Sequence, residues 1–153
     1  MRIKVLIAAA VLAVGVSTAF AAETWKSHGK GALENPANDS RGQSQATFKL
    51  SDDGETLFYK LNVANLENVR FSHIHLGEPD ENGPIVVFLY GGPTTEGRTQ
   101  GRLADGAITE DDFVGPLAGQ SMSVLLDAIE DGRAYVNVHT DKIPAGEVRG
   151  PIR

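Results

Sequence analysis

Short runs of alternating apolar and polar residues, each closed by glycine, proline, asparagine or aspartate, recur along most of this chain and restrict it to paired β-strands. Ala46, Phe48 and Leu50 share one face of such a run, Ser51-Asp52-Asp53-Gly54 makes a turn, and Leu57, Tyr59, Leu61 and Val63 share a face of the next. The two runs predict an antiparallel hairpin. Val69 to His75 is a third strand, the stretch EPDENGP from Glu78 to Pro84 an exposed loop, and Ile85 to Tyr90 an apolar strand ended by Gly91-Gly92-Pro93. Only Arg102 to Ile108 of the following segment is expected to hold a short edge strand. Met122, Leu125, Leu126 and Ile129 recur at helical spacing and predict one helix from about Ser121 to Glu130, stopped by Asp131-Gly132. Ala134 to Thr140 and Glu147 to Ile152 are the last two strands. The class is therefore all-β, an antiparallel sandwich or barrel with one short helix. Phe48, Leu57, Tyr59, Leu61, Val87, Leu89, Leu125, Val136 and Val138 are its expected core. Residues 22–43 are polar and turn-rich and are expected to form an irregular lead-in, with Trp25 plugging an edge of the core.

The N-terminus has a different character. Arg2 and Lys4 precede an apolar run from Val5 to Val16, too short for the about 20 residues that span a bilayer. Ala19-Phe20-Ala21 then supplies a small-x-small cleavage pattern, so residues 1–21 are expected to be a secretory signal peptide and Ala22 the mature start. The chain contains no cysteine, which removes lipoprotein attachment, disulfides and thiolate ligands together. Taking 21 residues from the 153 leaves one ordinary domain. The segment removed holds two basic residues and no acidic one, so the mature charge is more negative than the −6 of the whole chain. That balance opposes nucleic-acid binding, which depends on clustered lysine and arginine, and no membrane anchor is expected. The location expected is periplasmic or secreted.

Four histidines remain as sources of chemistry: His28, His73, His75 and His139. In the strand His73-Ile74-His75 the two imidazoles project from one face, about 7 Å apart, and Ile74 from the other. In Tyr135-Val136-Asn137-Val138-His139, Val136 and Val138 are the natural core residues, which sends His139 to the opposite face. If Ile74, Val136 and Val138 all point inward, His73, His75 and His139 share the outer side under the loops. Neutral imidazole is the commonest ligand for zinc and copper, and three of them leave a coordination position open. The other arrangement is that the strands are not neighbours and the rings bond to loop carbonyls. The turn from Asp141 to Gly146 is expected to bring Glu147 close to His139 or Thr140. Glu147 and Asp141 are candidates for orienting His139 or completing the coordination, Arg149 for pairing with Glu147, and His28 for a further ligand.

The segments FSHIHLGEPDENGPIVVFLYGG and GRAYVNVHTDKIPAGEVRGPIR closely resemble the CHRD domain, named after chordin and present in bacterial exported proteins. The resemblance covers residues 44–153 and implies an immunoglobulin-like Greek-key β-sandwich or barrel. It implies no particular activity, since the family has none generally assigned. A weaker local similarity is to copper/zinc superoxide dismutase, whose copper is held by a His-hydrophobic-His strand and a later Val-His, matched here by His73, His75 and His139. The metal-bridging histidine loop and the cysteines of that enzyme are missing from this chain. The expected function is that of an exported domain binding one transition metal ion, copper first and zinc second, with redox chemistry at the open position if any. The competing expectation is a non-enzymatic interaction or extracellular matrix module whose histidines are structural.

Overall fold

Residues 23–153 are described by a computed structural model, and the proposed signal peptide and its cleavage point lie outside the described residues. Eight strands form one antiparallel sheet: β1 (Thr24–Lys30), β2 (Gln43–Leu50), β3 (Leu57–Glu67), β4 (Val69–Leu76), β5 (Ile85–Tyr90), β6 (Arg98–Ile108), β7 (Ala134–Thr140) and β8 (Val148–Pro151). Their spatial order is β5-β4-β7-β8-β1-β2-β3-β6. The two edge strands, β5 and β6, approach each other, so the sheet rolls into a nearly closed barrel. Tyr59 spans the seam by donating its hydroxyl to the carbonyl of Leu89 at 2.7 Å. The all-β class with one short helix is thus realised in its barrel form.

Alternation decides what fills the barrel. Ala46, Phe48 and Leu50 of β2 pair with Leu61, Tyr59 and Leu57 of β3, and all but the partly buried Tyr59 are fully buried. The helix α1 (Met122–Glu130) turns Met122, Leu125 and Ile129 onto this core, while Val63, Leu66, Val69, Val138 and Val148 form a second cluster. Burying a leucine or valine contributes about 1.5–3 kcal/mol, and these clusters are what hold a cysteine-free domain.

The N-terminal segment corrects the sequence expectation. Thr24–Lys30 is not irregular; it is a regular strand paired along its whole length with β2 and touching β8 through Lys30 and Arg149. Its inward positions are Trp25, Ser27 and Gly29, and a Cβ on Gly29 would sit 2.1 Å from Ser44 Oγ of the neighbouring β2. Ser27 Oγ donates to the Gly150 carbonyl at 2.7 Å, and a Cβ on Gly150 would lie 2.5 Å from the backbone of His28. Small residues remove the apolar alternation by which a strand is recognised. Only residues 31–42 of the lead-in are irregular, apart from one 3-10 turn. The edge strand β6 is also longer than expected, starting at Arg98, because bulges at two points along β3 let it follow without a regular pattern.

Candidate metal centre

β4 and β7 are neighbours, with Ile74 opposite Val136 and Phe71 opposite His139. Ile74, Val136 and Val138 are fully buried in the barrel. His73, His75 and His139 therefore emerge together on its outer side, as the two alternations require. One ring nitrogen from each lies within 4.8 Å of the others. Ligands bonded to one tetrahedral ion at about 2.1 Å stand about 3.4 Å apart, so the widest pair needs to close by as much as about 1.4 Å.

The hydrogen bonds define which nitrogens face inward. His75 Nδ1 is 2.9 Å from the carbonyl of Gly83, and His139 Nδ1 is 2.9 Å from the carbonyl of Pro144. A carbonyl only accepts, so both Nδ1 atoms carry the proton and both Nε2 atoms keep a free lone pair. His73 Nδ1 stands 3.1 Å from His139 Nε2 and donates to it. The buried Nε2 of His75 has no partner at all. Gly83 has a steric reason to be glycine: a Cβ there would sit 1.5 Å from the Leu76 carbonyl oxygen. Only a bare backbone brings its carbonyl close enough to hold His75.

The cluster is electrostatically neutral by construction. Burial, with His139 and His75 nearby, lowers His73 to about 3. Burial also lowers His75, against the bond to Gly83, and lowers His139, against the bond to Pro144. Rings held neutral at ordinary pH are the form in which imidazole coordinates a metal.

Other residues fall differently from the sequence expectation. His28 is exposed on β1 and stays outside the three-histidine group. Glu147 does not reach His139; it is buried, accepts from Ser40 Oγ at 2.6 Å and from the Thr140 hydroxyl, and so ties the lead-in to β7. Arg149 does not pair with Glu147 either. It is 2% exposed, with its guanidinium carbon 3.5 Å from the centre of the Tyr135 ring. From there it donates to Asn82 Oδ1 at 3.1 Å, to the Glu78 carbonyl at 3.3 Å and to the Glu81 carbonyl. Asp141 lies 3.7 Å from Arg70 in an exposed pair of little energetic weight.

Sequence reasoning missed the polar layer under the loops. Asn137 Nδ2 donates to Glu34 Oε1 at 2.6 Å, and Asn82 Nδ2 donates to the Asn35 carbonyl at 2.7 Å, latching the lead-in to the loop of residues 77–84. It also missed two aromatic neighbours of His73: Phe88, edge-on at 4.8 Å between ring centres, and Phe71, stacked at 6.0 Å. The signal available was the outward face of β7, where Tyr135 and Asn137 precede His139 and have no business in solvent as a set.

A rolled antiparallel barrel with three converging imidazoles on its outer wall defines a small β domain with a candidate metal site. The CHRD domain model matches residues 25–152, and the chain belongs to the CHRD domain family. No curated protein and no solved structure matches the chain.

Proposed function

We propose that this protein is exported, begins at Ala22 in its mature form, and binds one divalent transition metal ion through His73, His75 and His139. Copper is the first choice and zinc the second, because copper has the greater intrinsic affinity for nitrogen ligands of this kind. The observation that carries the reading is the unpartnered Nε2 of His75, buried beside two other ring nitrogens, while the Nδ1 atoms of His75 and His139 are fixed by carbonyls. An uncompensated buried acceptor costs about 1–3 kcal/mol, and an ion supplies the missing partner. Backbone carbonyls on the remaining nitrogens are the supports that metal-binding histidines ordinarily have. On binding, His73 moves its proton from Nδ1 to Nε2, so all three lone pairs converge without a net charge change on the rings. A bound ion would offer its fourth position to water or a small ligand, and any redox activity would use it.

Titration calorimetry of chelator-treated protein with copper and with zinc tests this. One site per chain is expected, lost in His73→Ala and in His139→Ala. Binding unchanged in both variants would overturn the assignment. The second reading, an interaction module with structural histidines, draws on the exposure of Phe71 and Phe88, 38% and 52%, on either side of His73. It gains ground if neither metal binds.

A further inference from the structure

The chain is acidic as a whole, yet one side of the barrel holds no acid. The outward positions of β1, β2 and the Phe58–Ala64 part of β3 carry Lys26, Lys30, Lys49, Lys60 and the exposed His28, and none of the 20 aspartates and glutamates. The four lysines enter no ion pair among the described residues. Arg153 extends the group, since it lines a depression of about 340 Å³ together with Lys26 and Lys30. The next outward acid, Asp105 on β6, stands opposite Lys60 in the ladder but is paired with Arg102 at 3.2 Å. Four cations left unpaired side by side in a chain with surplus carboxylates are a surface waiting for an external anion.

The groups between the lysines narrow the choice of anion. Gln43, Gln45 and Asn62 occupy the same face, and with Lys30 and His28 they line a second depression of about 290 Å³. Amides donate to and accept from hydroxyls, so the surface alternates cations with hydroxyl-binding groups. Lys26 and Lys60 both flank Thr47 of β2, which sets them two strand spacings apart, about 9.5 Å. That suits charges carried on alternate rings of a sugar chain. Single-stranded nucleic acid calls for several aromatic platforms, and a lipid surface for an apolar set that inserts. The large exposed apolar side chains here are Phe58 on β3, 50% exposed, and Leu33 past the end of β1, 45% exposed, on separate elements rather than in one set.

We propose that the outer face of β1, β2 and β3 binds an acidic polysaccharide, one bearing carboxylates or sulfates on its sugar rings. The face is formed by strands other than those holding the three histidines, so the site works independently of any metal.

The test measures binding of the purified protein to heparin and to alginate, as sulfated and carboxylated probes, with single-stranded DNA and phosphatidylglycerol vesicles for comparison. Retention on one or both polysaccharides is expected, falling with salt. Replacing Lys26, Lys30, Lys49 and Lys60 together by glutamine should weaken it by at least about tenfold and flatten the salt dependence. Replacing the same four by arginine should preserve it. Thermal unfolding of both variants verifies that they fold, and His139→Ala should bind the polysaccharides as the parent does. No binding to either polysaccharide, binding unaffected by the glutamine replacements, or tighter binding to DNA or to the vesicles would each overturn the proposal.

Discussion

Arg149 stands over the face of Tyr135 with its guanidinium carbon 3.5 Å from the ring centre, and this contact couples β8 to the loop that holds a histidine. The Tyr135 hydroxyl accepts from the Gly83 amide at 3.0 Å, while the Gly83 carbonyl holds His75. The guanidinium itself fastens the same loop at Asn82, Glu78 and Glu81. Position 135 therefore sets the ring angle at position 75 by stacking on it, with centres 5.0 Å apart and planes 7° from parallel, and position 149 acts on it through Tyr135 and the loop.

Arg149→Ala should accordingly lower stability by about 3 kcal/mol, from a desolvated cation–π contact and charge-assisted bonds to the loop. Lysine in its place recovers the charge and not the planar fork, so Arg149→Lys should recover less than half of the loss. Urea unfolding of the metal-free protein measures both, and calorimetry should show weaker metal binding in each.

Glu34 predicts a loss of stability toward neutral pH. Burial pushes its carboxyl up to about 7, with Arg149, Asn137 and the Asn35 amide pulling it down. The folded state thus favours the protonated acid, a stabilisation fully present below pH 4.5 and lost as pH rises through 7. In Glu34→Gln the unfolding midpoint should no longer fall across that window, and at pH 8 the variant should be the more stable protein.

The histidines act in the opposite direction. Their folded values are depressed, His73 to about 3, so their contribution to stability is complete above pH 6.5 and declines as pH falls toward 3. The metal-free protein should lose stability below pH 6.5, and His73→Phe should lose less. Proton competition for the proposed ion is displaced the same way, so calorimetric affinity should hold through pH 6.5 and weaken only as pH falls toward the lowered values of the folded rings.

Leu61 is fully buried opposite Ala46 in the first core cluster. Leu61→Ala should cost about 2–5 kcal/mol. Thermal or urea unfolding of the variant checks the value, and a cost below 1 kcal/mol would contradict its place in the core.

The strands most open to sequence reading were those with large inward side chains at every second position, such as Phe48, Leu57, Leu61, Val136 and Val138. The same alternation delivered the three histidines to one face, because period two fixes both sides of a strand at once. β1 was not legible, since its inward Ser27 bonds the Gly150 carbonyl of β8, its inward Gly29 leaves room for Ser44 of β2, and neither carries an apolar signal. The roles of Glu34, Glu147 and Arg149 were hidden for another reason. Charged residues near strand ends read as solvated, and only the folded lead-in and the loop of residues 77–84 cover them.

The placing of β1 between β2 and β8 bears on the order of events during synthesis. The strand at the start of the described chain finds one of its neighbours near the very end, at Lys30 against Arg149 and Ser27 against Ile152. The barrel wall cannot be completed until residues 148–152 have left the ribosome. Contacts so distant along the chain also make for slow folding, on the order of milliseconds to seconds. Until they form, β1 has β2 alone to pair with, and the wall stays open on its β8 side.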